Sequence, residues 1–250
     1  MMDALPTVKS DHRTHASERI QQRVTVLLRA VRRQHPGGHH VAVRNLIRHE
    51  LLVDRVAAAF RHHRELRGKE MRRHVADGEA CAALITPGQN VIIDGGTTCF
   101  HVAKRLDEKV VQIITNSLPV ANLFSASNRH EVHLSGGVIY PRLGVLVGPN
   151  AVETFSRMHA DVAILSGSGI SEDGIYNSHA LLVDIQRAMI AGAAKVIFCI
   201  DHTKFDRRST FFLSDFSAVD TIVTDAGAPA DLVTRLRAKG LEVIVASSGA

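Results

Sequence analysis

The sequence predicts an α/β protein, a mostly parallel sheet with helices on both faces, preceded by a small basic helical segment. Two patterns predict the sheet. After Gly78, short runs rich in β-branched residues alternate with segments of helical periodicity, which is the order of a chain that alternates strand and helix. The runs are also nearly all apolar, as strands buried on both faces are and half-solvated strands are not. A third observation predicts the division in two. From Met1 to Glu79 the chain carries 16 Lys and Arg against 9 Asp and Glu, and from Ala80 onward 14 against 16. The net charge of +5 therefore comes from the first third alone.

Taken in order, residues 1–16 are polar and mixed and read as a loose leader. In SERIQQRVTVLLRAVRR, Ile20, Val24, Leu27 and Leu28 recur at helical spacing behind Ser17, whose hydroxyl suits an N-cap. QHPGGHH ends that segment, because proline lacks the N–H a helix needs and paired glycines loosen the chain. Helical spacing resumes from Val41 to Arg73 through Val43, Leu46, Ile47, Leu51, Val56, Ala59 and Phe60, which fits one or two basic helices. The expected units are a leader (1–16), a basic helical unit (17–79) and a sheet unit (80–250). Within the last, the expected strands are VIIDGG, VVQIITNS, EVHLSGG, DVAILSGSG, KVIFCID, DTIVTD and LEVIVA. The helices expected between them are CFHVAKRL, PVANLFSAS, NAVETFSRMH, LLVDIQRAMIAGAA and APADLVTRLRAKG.

A basic module joined to a mildly acidic one fits a nucleic-acid reader with a separate sensing unit, and a solvated basic arm fits the same charges. Arg44, Arg48, Arg55, Arg61 and Arg64 are the cations available to contact DNA phosphates in the basic unit. Cys81, Cys99 and Cys199 stand in unrelated apolar contexts without metal-ligand spacing, so neither a disulfide framework nor a metal site is expected. No apolar run reaches the roughly 20 residues of a spanning helix, and the first residues have no signal-peptide core. A cytoplasmic protein without a membrane partner or a cofactor is the expectation.

In parallel sheets ligands bind beyond the carboxyl ends of the strands. Five of those ends are small, hydroxylic or glycine-rich: Asp94-Gly95-Gly96-Thr97-Thr98, Thr115-Asn116-Ser117, Ser135-Gly136-Gly137, Ser166-Gly167-Ser168-Gly169 and Asp201-His202-Thr203-Lys204. They leave room for a polyhydroxylated ligand with an anionic group. In the first, glycine lets backbone N–H groups approach an anion, and two threonines open a helix whose dipole is positive there. A structural turn explains the same residues. Lys204 is a candidate countercharge to a phosphate or to Asp201. Asp94 and Asp201 fit either an acid–base pair or acceptors for sugar hydroxyls, and Tyr176 fits a pocket lining or its rim.

DGGTT, ITNS, LSGG, DVAILSGSGI with DGIY after it, IQRAMI, IDHTKF and TIVTD occur together and in order. In this the chain resembles the sensor domain of DeoR-family transcriptional repressors, in particular the glycerol-3-phosphate regulon repressor type. The likeness covers about Ala80 to Ala246. It implies a fold shared with ribose-5-phosphate isomerase and CoA-transferases, a phosphorylated sugar or polyol as effector, a winged helix-turn-helix that binds operator DNA, and a homo-oligomer. It also implies effector contacts at Asp94, Gly95, Gly96, Thr97, Thr98, Asn116, Ser117, Gly136, Gly137, Asp201 and Lys204. The basic unit departs from that pattern: ELLVDRVAAAF stands where the family carries TIRRDL, and no GGA wing follows. The expected function is a repressor of a carbohydrate or glycerol-3-phosphate operon, released by its effector. A sugar-phosphate isomerase or deaminase on the same fold, and an effector-binding protein that has lost DNA binding, are the alternatives.

Overall fold

The structure, a computed structural model, describes residues 68–125 and 127–246. Arg44, Arg48, Arg55, Arg61 and Arg64, with the helices expected around them, lie outside the described residues. In chain order the described part begins with α1 (Gly68–Ala83), β1 (Asn90–Ile93), α2 (Thr97–Leu106), β2 (Gln112–Thr115), α3 (Leu118–Phe124) and β3 (Val132–Leu134). Next come the strands β4 (Val138–Tyr140) and β5 (Val145–Val147), α4 (Pro149–Ser156), β6 (Ala160–Leu165), β7 (Gly169–Ser171) and β8 (Gly174–Asn177). The chain continues with α5 (Ala180–Ala191), β9 (Ala193–Cys199), β10 (Phe211–Ser214), β11 (Thr221–Asp225), α6 (Ala230–Ala238) and β12 (Glu242–Ala246).

All seven apolar runs expected as strands form one sheet in the order β12-β11-β9-β6-β1-β2-β3. Every pairing in it is parallel. Its strands are apolar throughout because alternate side chains enter two different cores. Val91 and Ile93 pack with Cys81, Cys99, Val102, Leu106, Val120 and Phe124 from α1, α2 and α3. Ile92, one residue out of phase, joins Phe155, Val183, Ile185, Met189, Leu232 and Leu236 from α4, α5 and α6 on the other face. Fully burying each such side chain contributes about 1.5–3 kcal/mol, so neither face tolerates a polar residue cheaply.

Two small antiparallel elements sit beyond the carboxyl ends of this sheet's strands. One is the hairpin β4–β5, and the other the sheet β10-β8-β7. Tyr176 lies in the second, buried, its hydroxyl donating to Asp173 Oδ2 at 2.6 Å and its ring edge-on to Phe212. The Ser171 and Tyr176 hydroxyls hold the Asp173 carboxyl down at about 2.

The boundary expected at 79/80 falls inside α1. Asp77, Cys81 and Ala82 are buried, and the side chain of Arg105 on α2 pairs with Glu79. The described residues all belong to the compact unit that holds the sheet. The three cysteines are free and buried, and burial, with the nearby Asp94 carboxylate, pushes the Cys99 thiol well above its usual range. Among the described residues no helix is long and apolar enough to cross a membrane.

Candidate anion-binding site

β1 and β6 are neighbours in the sheet although their chains run on to opposite sides of it, β1 towards β2 and β6 towards β9. Such a reversal opens a crevice outside the strands' carboxyl ends. Asp94 follows β1 there and Ser166 follows β6. The crevice is a cavity of about 420 Å³, floored by Asp94 to Thr97 and Ser166 to Ser168 and walled by Asn177 to His179 with Leu182. Tyr140, Arg142, Leu143 and Val145 of the hairpin close a third side, and Lys204, Arg207 and Ser209 a fourth.

The glycines of the floor are required by close approach. A Cβ on Gly95 would lie 2.1 Å from Val145 Cγ1, and one on Gly96 would lie 2.7 Å from Ser166 Cβ. Gly96 is the N-cap of α2, supplies no side-chain cap, and is followed by no acidic residue in the first turn. The positive end of the helix dipole therefore faces the crevice without a protein carboxylate of its own turn to neutralise it.

Asp94 is buried, and that burial raises its pKa; hydrogen bonds from the Gly95 backbone, Gln186 and the Ser166 backbone oppose the shift. Gln186 Nε2 donates to Asp94 Oδ2 and to Ser166 O, each at 2.8 Å. Gln186 Oε1 accepts from Asn177 Nδ2 at 2.7 Å, and Asn177 Oδ1 accepts from the Ser168 hydroxyl at 3.2 Å and from Ser178 N at 2.7 Å. One amide chain thus ties four strand ends together and fixes the direction of the Asp94 carboxylate.

Of the residues expected at the site, the structure brings Asp94, Gly95, Gly96, Thr97 and Lys204 to the cavity. The others do not line it. Thr98 is buried behind the first turn of α2 and shares a 3.0 Å hydrogen bond with His74 Nδ1. Asn116 fastens the hairpin to the end of β2, since its carbonyl accepts from Leu146 N at 2.8 Å and its Nδ2 donates to Leu146 O at 3.0 Å. Ser117 caps α3 through a 3.3 Å bond from Val120 N. Gly136 precedes the hairpin, and Gly137, with φ +129°, enters it where a Cβ would meet Val147 O at 2.6 Å. Asp201 caps a short 3-10 turn by accepting from Thr203 N at 3.0 Å and stands 3.9 Å from Lys204 Nζ. These residues build the scaffold that carries the lining.

Sequence reasoning missed the hairpin residues Tyr140 and Arg142, with His179 and Arg207. Tyr140 and His179 pack ring on ring, centroids 5.0 Å apart. IYPRLGVLV did carry a signal, a proline and a glycine between two β-rich runs. Nothing in it said that the hairpin folds over DGGTT.

Residues 69–226 match the DeoR C terminal sensor domain. The chain is 32% identical over 168 residues to the HTH-type transcriptional repressor GlcR of Bacillus subtilis, covering 67% of this chain and 65% of that protein. It is 27% identical over 166 residues to the HTH-type transcriptional regulator UlaR of Salmonella arizonae, 66% of each. The chain thus spans just under two thirds of the length of the curated relatives it matches. Ribose 5-phosphate isomerase A from Neisseria gonorrhoeae is 13% identical, with a TM-score of 0.39 over 55% of this chain and 54% of that one.

Proposed function

Because the chain belongs to the DeoR C terminal sensor domain family, we propose that it is a transcriptional regulator whose sheet unit senses a phosphorylated sugar or polyol. The observation that carries the sensing is the cavity: a glycine floor at the positive end of α2, with Lys204 beside it and hydroxyls of Ser166, Ser168, Ser178 and Ser209 around it. A phosphate monoester carries close to two negative charges at neutral pH and three acceptor oxygens, which suits N–H groups and an ammonium. The remaining polyol needs donors and acceptors along its length, and Asp94, Asn177 and the serines supply them.

The reading extends to operator DNA contacted through Arg44, Arg48, Arg55, Arg61 and Arg64, to repression relieved by the effector, and to a cytoplasmic homo-oligomer. Glycerol 3-phosphate is the effector that the sequence resemblance favours. Regulation rather than catalysis is supported by the relatives, whose names are those of regulators.

A gel shift on the DNA upstream of the gene and of the genes that flank it, at low salt, tests the reading. Retardation that a sugar phosphate relieves supports it. No retardation in any fragment sinks it, and turnover of a sugar phosphate lost in Asp94→Asn would replace it with the enzyme.

A further inference from the structure

Among the described residues most cations have a protein partner. Arg105, Arg129, Arg157, Arg208 and Arg235 each meet a carboxylate. Arg187 and Arg237 donate to backbone carbonyls. Lys109 and Lys239 donate to carbonyls, Lys104 lies over the Phe100 ring, and Lys195 and Lys204 face Glu242 and Asp201. Among the described side chains two cations are left with no protein partner, the solvent-exposed Arg142 and Arg207, and both line this cavity.

The two arrive from unrelated parts of the chain. Arg142 stands at the tip of the β4–β5 hairpin, and that hairpin is bolted to the end of β2 by the paired Asn116–Leu146 bonds. Arg207 stands beyond the 3-10 turn that carries Lys204, and its backbone N–H donates to Ile170 O at 3.2 Å. Arg207 O lies so near Gly169 that a Cβ there would come within 2.2 Å of it. Two separately anchored backbones therefore bring arginines to the lining of one cavity. With Lys204 they put three cations around a cavity whose only lining carboxylate is Asp94. Guanidinium groups are forks of N–H donors, matched to planar or tetrahedral oxyanions and poorly matched to neutral hydroxyls.

We propose that Arg142 and Arg207 form a two-armed clamp on the phosphate of an organic phosphate ester, one arm on the hairpin and one on the opposite wall. The clamp makes the site read phosphorylation itself: the same polyol without phosphate leaves both arms hydrated, gains no charge contact from them and binds far more weakly. It rests on the sugar-phosphate reading above and adds the residues that decide ligand charge. Because one arm rides on an exposed hairpin tip, ligand binding also holds the Arg142–Leu143 bond inside the complex.

Titration calorimetry with glycerol 3-phosphate, inorganic phosphate and glycerol tests this on the full chain, its Arg142→Gln and Arg207→Gln variants, and Arg157→Gln as a variant of equal charge change outside the cavity. The expected result is phosphate-dependent binding by the parent and by Arg157→Gln, about tenfold weaker in each cavity variant, with no glycerol bound. Trypsin cleavage after Arg142 should slow when glycerol 3-phosphate is added to the parent protein. Unchanged affinity in both cavity variants overturns the clamp while leaving the sugar-phosphate reading intact. Binding of glycerol as tight as that of glycerol 3-phosphate overturns both, and so does a parent protein that binds neither phosphate.

Discussion

Replacing Gln186 with methionine keeps the side chain's length and removes its polarity, which makes it the sharpest probe of how the cavity floor is held. Gln186 is 2% exposed. Three hydrogen bonds vanish: two donated at 2.8 Å, to Asp94 Oδ2 and Ser166 O, and one accepted at 2.7 Å from Asn177 Nδ2. A buried bond to a charged group is worth about 1.5–3 kcal/mol, and a buried amide left without its acceptor costs about 1–3 kcal/mol. After a partial offset from the more apolar thioether, the loss should be about 3–4 kcal/mol, which for a unit of this size lowers Tm by roughly 6–16 °C.

The loss should also depend on pH. Burial raises the Asp94 pKa above its usual 3.8, so ionising this group costs the fold stability. That cost is absent below about pH 3.8 and sets in as pH rises through the raised folded value. Gln186 reduces it by stabilising the carboxylate, so its removal deepens the cost only where Asp94 is charged. Thermal unfolding followed by far-UV circular dichroism over a pH series should therefore show a Tm difference between parent and variant that is smallest below pH 3.8 and grows as pH rises through the raised folded value. A drop of less than about 2 °C throughout the series, or the same drop at every pH, would refute the account of the amide chain.

Gly95→Ala should destabilise by about 1–3 kcal/mol, because its Cβ falls 2.1 Å from Val145 Cγ1; urea unfolding measures it, and Val145→Ala in the same chain should restore much of the loss. Lys204→Met should weaken calorimetric binding of glycerol 3-phosphate by about 1 kcal/mol, roughly fivefold, a modest effect because Lys204 is one-third exposed and shares its charge with Asp201. Asp225→Asn tests the opposite sign of pH dependence. Burial would raise that carboxyl, but hydrogen bonds from His202 N, Gly227 N and the His202 ring outweigh it and leave it below 3.8. Its contribution is present above pH 3.8 and lost as pH falls through the lowered folded value. The variant's Tm deficit should thus shrink in acid, and a deficit that grows there would contradict the assignment.

Much of the fold could be read locally. An apolar run of a few residues ending in Gly, Ser or Asp is a strand buried on both faces wherever it falls in the chain, and all seven such runs became the sheet. The helices between them followed from a three-and-four spacing that needs no knowledge of neighbours. The hairpin β4–β5 and the small sheet β10-β8-β7 were less visible, since strands of three or four residues carry too few side chains to show a period.

For the site, the sequence by itself determined the floor. Asp94 to Thr97 must lie at a strand's carboxyl end and a helix's amino end, because strand, loop and helix are contiguous, and contiguity fixes that geometry. It also determined that hydroxyl and glycine residues stand at the other strand ends. Which of those ends meet was decided only by the strand order. β6 lies beside β1, so Ser166 and Ser168 join the floor, while Asn116 fastens the hairpin, Ser117 caps α3, and Gly136 and Gly137 lead into the hairpin. Tertiary structure alone brought Tyr140, Arg142, His179 and Arg207 to one cavity. The physical reason is that a cation's role depends on whether a carboxylate stands within reach, and that is a property of the packed chain which no local stretch of sequence encodes.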